Sequence, residues 1–336
     1  MRELMVSVLR LLLLLLLTAQ GAWASELSRT FDGLRRAHQA VLAVQAKAVE
    51  GAPSIRTLGE EREGSGIVIS PDGLVLTIGY LVLEAESVDL VDEDGKRWPA
   101  RVWAYDLASG LALLRPLAPL NRPFAPLGRP AAHPSTEPLM VVSGGPDGEV
   151  GPTALVLRQP FSGAWEYHID GALYTSPPRP EHSGAGLFNA RGELLGVGSL
   201  VLSALPPQAA SRRPGNLFVP VDLIASQLED LRRQGPQALP ARAWLGINCA
   251  ETVRGLRITR ISDDSPADAA GLLAGDGIER IDGVAVNDLA TLWKTLWEAG
   301  PAERAVVLDI VRDGERQSVT VHTIDRRRAF KRAQGV

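Results

Sequence analysis

The chain has 336 residues, room for two domains, and its 45% hydrophobic and 22% charged content excludes a disordered polypeptide. A formal net charge of −4 excludes the basic footprint of a nucleic-acid binder. One cysteine, Cys249, excludes an internal disulfide framework, and no histidine pair has ligand spacing, so neither metal nor cofactor is expected.

At the N-terminus Arg2 and Arg10 flank an apolar run over residues 11–17, too short to cross a hydrocarbon layer of ~30 Å. Ala22-Trp23-Ala24 is a small-x-small cleavage site. A signal peptide over residues 1–24, cut after Ala24, predicts a periplasmic or secreted protein without a stable membrane span. A retained signal anchor is the alternative. Residues 25–63 form an N-terminal helical segment, since Leu27, Phe31, Leu34, Ala37, Val41 and Val44 fall at three-to-four spacing.

From Gly64 the period changes to that of strands. Ile67-Val68-Ile69 and Leu74-Val75-Leu76 flank the turn Ser70-Pro71-Asp72-Gly73, and short strands recur to about Leu202. A Pro- and Ala-rich stretch over 203–215 reads as a surface loop. A helix follows over 221–234, stopped by Gly235-Pro236. These elements bound one domain at 64–235 and a linker at 236–241. A second domain, 242–325, mixes strands with two helices, the first capped by Ser265 and the second spanning 288–299. The basic tail, 326–336, is expected to be a solvated, disordered end. Cys249, between Ile247 and Ala250, reads as a plain buried thiol.

The run Gly64-Ser65-Gly66-Ile67-Val68-Ile69-Ser70-Pro71-Asp72-Gly73 resembles the HtrA (DegP/DegS-like) serine proteases. The likeness continues through Gly144-Gly145-Pro146, Ser183-Gly184 with Leu187-Phe188-Asn189, and Val219-Pro220 with the helix after it. The resemblance implies a mostly β chain: a chymotrypsin-like double β-barrel followed by a PDZ domain, a β-sandwich with two helices. It also implies a His, Asp, Ser triad, and here the sequence departs from the family. Tyr80 stands at the histidine position in Leu76-Thr77-Ile78-Gly79-Tyr80, and Gly110 at the aspartate position in Gly110-Leu111-Ala112-Leu113-Leu114. Asp106 matches a non-catalytic position. Ser183 survives as the vestigial nucleophile, while Glu181 replaces the glycine of the oxyanion loop.

A serine hydroxyl needs a neighbouring base. An imidazole with pKa near ~6.5 serves at neutral pH, whereas a phenol near ~10 carries almost no base form there. A triad acts as a unit, and losing a member leaves only residual acceleration of roughly 10³–10⁴ over water. A carboxylate at 181 would also oppose a developing oxyanion. The protease half is therefore expected to be inactive. The alternative is an active endopeptidase whose Ser183 uses another base, with His168 and His182 the nearest candidates in sequence.

In the second domain, Trp244-Leu245-Gly246-Ile247 resembles the carboxylate-binding loop of HtrA-type PDZ domains. A glycine lets consecutive N–H groups converge on a peptide's C-terminal carboxylate. Leu245 and Ile247 would line the apolar pocket, and Leu292 and Leu296 the groove wall. The resulting expectation is a pseudoprotease that binds peptide C-termini or unfolded chains, as chaperone, adaptor or regulator of an active protease. The resemblance further implies a homotrimer built through the protease domains, or a hetero-oligomer with active relatives, and the apolar N-terminal helix from Leu27 to Val44 is a candidate for that contact. A purely structural envelope protein, in which this domain only packs against the barrel, is the third reading.

Overall fold

The computed structural model describes residues 30–134, 136–209 and 212–331. The signal segment, Leu27 and the end of the tail lie outside them. Helix α1 (residues 30–39) leads into β1 (Val41–Ala48), α2 (Ile55–Leu58), β2 (Glu61–Val68), β3 (Val75–Ile78), β4 (Ala85–Val91), β5 (Arg97–Tyr105) and β6 (Leu111–Pro116). These six strands close a barrel in the order β1-β2-β3-β6-β5-β4. A second closed barrel joins β7 (Leu139–Val142), β8 (Val150–Gly163), β9 (Tyr167–Ser176), β10 (Gly186–Phe188), β11 (Leu194–Leu202) and β12 (Gly215–Pro220), ordered β10-β11-β12-β9-β8-β7.

The expected helical segment over 25–63 is corrected here. Helix ends at residue 39, and Val41 and Val44 belong to β1, which pairs with both β2 and β4. Two ladders along eight residues outweigh a marginal helical period, and the β-branched valines suit a strand. The first barrel therefore starts at Val41, not Gly64. The helix expected over 221–234 is likewise two short ones, α3 (Asp222–Ala225) and α4 (Leu228–Gln234).

The C-terminal domain comprises β13 (Ala243–Trp244), β14 (Ile247–Thr252), β15 (Gly255–Ile261), α5 (Pro266–Ala269), β16 (Gly277–Ile281), β17 (Val284–Ala285), α6 (Leu289–Glu298), β18 (Ala305–Arg312), β19 (Glu315–His322) and β20 (Ile324–Asp325). Its main sheet runs β14-β15-β16-β18-β19, so β14 is an edge strand. Both helices start on side-chain caps: Ser265 accepts from Asp268 N, and Asp288 from Thr291 N. Leu245, Ile258, Leu292, Trp293, Leu296 and Val306 form a core separate from that of the barrels.

The tail also departs from expectation. Lys331 N donates to the buried Glu84 carboxylate (2.7 Å), Lys331 Nζ to Glu50 O (2.6 Å), and Phe330 meets Tyr105 edge-on. A basic tail finds partners on the first barrel that the sequence could not pair with it.

At Gly144 the two barrels meet with no room for a side chain. A Cβ at Gly144 would lie 2.2 Å from the Leu42 carbonyl carbon, and Gly144 N donates to Ser65 Oγ (3.1 Å). Gly144→Ala is therefore expected to destabilise the protein by about 1–3 kcal/mol, read as a lower urea midpoint with an unchanged slope.

Candidate functional site

Ser183 sits half-buried in the loop between β9 and β10, where that loop is pinned to the first barrel. Ser65 N donates to Ser183 O (2.8 Å), and Gly184 N to Gly198 O (2.9 Å). Gly184 has φ +72°, and a Cβ there would stand 2.0 Å from Ser65 O, so only glycine fits. Across the seam a 3₁₀ turn after β3 (Gly79–Leu81) presents Tyr80. Its Oη lies 3.0 Å from Ser183 Oγ and 2.9 Å from Ser199 O. A phenol has one proton, and the Ser199 carbonyl can only accept. The phenol proton goes to that carbonyl, and the serine hydroxyl donates to the phenol oxygen. Burial pushes the Tyr80 phenol up to about 12, the Ser183 contact opposing it.

Among the described residues no carboxylate hydrogen-bonds to this pair. Gly110 has φ +72°, and its O accepts from Gly79 N (2.7 Å). A Cβ at Gly110 would meet Tyr167 Cε2 at 3.1 Å. Tyr167 thus packs closely against Gly110, its hydroxyl donating to Ser109 O (2.5 Å). Asp106 is spent on a turn, accepting from Ala108 N, Ser109 N and Ser109 Oγ. Glu181 is exposed.

The ring hydrogen bonds of His168 and His182 run to groups other than Ser183. His182 Nδ1 donates to Pro180 O (2.8 Å). His168 lies between Ser162 Oγ (2.8 Å at Nδ1) and Asp170 Oδ1 (3.3 Å at Nε2). Burial holds the His168 ring below its usual pKa, with Asp170 acting against it. Among the described residues no group of three or more His, Cys, Asp or Glu is placed to hold a metal ion.

The C-terminal domain holds a second polar cluster. Gly246 has φ +88° and abuts Ser265, whose Cβ would be 2.2 Å from any Cβ at 246. That backbone turns three consecutive amides toward one point. The point is occupied by the Glu166 carboxylate, which accepts from Leu245 N (3.1 Å), Gly246 N (2.7 Å) and Ile247 N (2.9 Å). Glu166 comes from the tip of the β8–β9 hairpin and is 1% exposed. Burial pushes its carboxyl above the ordinary range, while Arg326 and the three amides pull it back.

Neighbouring atoms of the tip are held too. Cys249 N on the β14 edge donates to Ala164 O (2.9 Å), Trp293 Nε1 on α6 to Gly163 O (2.9 Å), and Arg326 Nη1 to Glu166 O (3.0 Å). Lys294 reaches Asp170 at 3.3 Å. Of the residues expected around the groove, Leu245, Gly246 and Ile247 form the nest and Trp244 is half-buried beside it. Leu292 and Leu296 are corrected: both are fully buried in the domain core, and the residues of α6 that reach the hairpin are Trp293 and Lys294. The helix turns its aliphatic stripe inward, so a long polar-tipped ring is what reaches a backbone carbonyl. Glu166, Tyr167, Trp293 and Arg326 carry no motif in the sequence that marks them for this cluster. Only the turn at 163–166 left a signal, and it says nothing of a partner 80 residues away.

The trypsin-like peptidase domain family matches residues 64–197, and the PDZ domain family residues 243–323. The chain is similar to a "Probable periplasmic serine endoprotease DegP-like" of Halomonas elongata, 25% identical over 299 residues, covering 80% of this chain and 58% of that one. A protein of the same description from Brucella suis is 27% identical over 286 residues, covering 78% and 53%. The chain thus spans little more than half the length of these relatives. Among solved structures, the HtrA-type protease AlgW with a decapeptide aligns with TM-score 0.54 at 18% identity, covering 88% of this chain and 98% of that one. A serine endoprotease from Yersinia pestis aligns with TM-score 0.53 at 20% identity, covering 88% and 97%.

Removing the Tyr80 hydroxyl strips a partner from both Ser199 O and Ser183. Tyr80→Phe is expected to cost about 1–2 kcal/mol of stability, measured by urea unfolding, and to change hydrolysis of an unfolded substrate not at all.

Proposed function

The chain belongs to the HtrA family, and from that premise we propose that it is a cell-envelope member without protease chemistry, acting by binding peptide C-termini or unfolded chains through its PDZ domain. The observation that carries the first half is the hydrogen bond between Tyr80 Oη and Ser183 Oγ. With its phenol raised to about 12, Tyr80 carries a phenolate fraction of only about 10⁻⁴ at pH 8. It can occupy the serine proton but not remove it. Tyr167 beside Gly110 leaves no space for a carboxylate that could orient a base.

The second half rests on the amide nest of Leu245, Gly246 and Ile247 beside an edge strand. These are the two elements needed to bind an extended chain end: donors for its carboxylate and a ladder for its backbone. The periplasmic naming of the relatives, together with the sequence signal at Ala24, supports an envelope location. The same reading includes self-assembly, or assembly with active relatives, through α1, where Phe31 stands 69% exposed. Against the endopeptidase alternative, the ring hydrogen bonds of His168 run to Ser162 and Asp170 and that of His182 Nδ1 to Pro180 O, none of them to Ser183.

A fluorophosphonate probe tests the reading. Labelling of the full chain should not exceed that of Ser183→Ala and should stay flat from pH 6 to pH 9, because a phenol near 12 gains no base form in that window. Labelling comparable to a working DegP-like protease, rising through neutral pH, would overturn it. Binding is tested separately, by polarisation of fluorescent free-acid decapeptides added to the full chain. Saturable binding is expected, and it should be lost when the peptide's C-terminus is amidated.

A further inference from the structure

A PDZ groove binds an extended segment by two contacts: a terminal carboxylate in the nest and main-chain bonds along the edge strand. In this protein both are made, and by the chain itself. The Glu166 carboxylate takes the three nest amides at 2.7 to 3.1 Å, and Ala164 O takes the Cys249 amide of β14 at 2.9 Å. Gly163 O, one residue earlier, is held by Trp293 Nε1. We propose that the tip of the β8–β9 hairpin is the PDZ domain's built-in ligand, with Glu166 standing in for a C-terminal carboxylate, so that an external chain end binds only by displacing it. This rests on reading the C-terminal domain as a peptide binder.

The tip is anchored by chemistry that an external peptide can match and extend. Its side-chain carboxylate makes the same charge-assisted bonds that an α-carboxylate would. Among the described residues it makes one main-chain bond to β14, whose six residues (Ile247–Thr252) offer more. Glu166 is held at φ +55°, in a region where non-glycine residues are uncommon. It is also almost fully desolvated, which subtracts from the grip of the amides. A peptide ending in an apolar residue would bring the terminal side chain and longer strand pairing that the hairpin lacks. What opposes its entry is tethering, which presents Glu166 at high effective concentration.

The test uses the full-length chain as wild type, Glu166→Ala and Glu166→Gln, with Gln keeping the shape should Ala disturb folding. Fluorescent decapeptides ending in Val, Leu or Phe, as free acids and as amides, are titrated by polarisation, and backbone amide exchange is followed at residues 245–247 and 249. The expected result is slow exchange of these amides in the wild type, faster exchange in the variants, and free-acid binding at least about tenfold tighter in Glu166→Ala, with Glu166→Gln between. Equal affinities in all three proteins would overturn the built-in ligand and leave peptide binding standing. No binding by any of them, with the nest amides freed in the variants, would overturn both.

Discussion

Two adjacent side chains at the end of one hairpin organise the molecule. Glu166 points into the amide nest of the C-terminal domain, and Tyr167 points back into the space beside Gly110 in the first barrel. Because the strands β8 and β9 are long, and paired to β7 and β12 as well as to each other, the tip is a stiff extension of the second barrel. One turn therefore touches three bodies: it takes the amides of residues 245–247 and the Trp293 ring of the PDZ domain, and it packs beside Gly110 of the first barrel. The aromatic stack of Trp165 on Tyr167, with Phe161 against both, keeps the turn in shape.

The side chains around Ser183 form a consistent set when seen in space. Tyr80 reaches across the barrel seam and binds both Ser183 and Ser199 O. Gly110, in a left-handed conformation, makes room for Tyr167. Tyr80 supplies a hydrogen-bonding partner at the seam, and Gly110 a surface against which Tyr167 packs. The geometry around Ser183 is retained by glycine contacts such as Gly184 against Ser65 O, which serve barrel packing whether or not the serine reacts.

The chain end adds a second tie between domains. β20 pairs with β13, Arg326 bonds Glu166 O, and the residues after it run to Glu84, Glu50 and Tyr105 of the first barrel. Glu84 is a buried carboxylate shared between Ser54 N and Lys331 N, so the tail satisfies a group that would be costly to leave short of partners. The strap and the hairpin grip the PDZ domain from opposite ends of its sequence.

Much of this protein was legible without coordinates. Strand periodicity after Gly64, the turn at Ser70-Pro71-Asp72-Gly73, the capped helix at Ser265 and the glycine at 246 are local features, governed by residues a few positions apart, and local chemistry is written into sequence. That residue 80 is a phenol and not an imidazole is equally a sequence-level fact, with the same intrinsic proton affinity wherever the side chain lies. What the tertiary structure alone decided is everything that depends on distant residues meeting. Val41 and Val44 carried a helical spacing, and two strand partners made them β1. Leu292 and Leu296 had the right composition for a groove wall and went to the core, leaving Trp293 for the groove. Glu166 had no motif at all: a glutamate in a turn is ordinary, and only folding carries it to the three amides of residues 245–247, about 80 positions away.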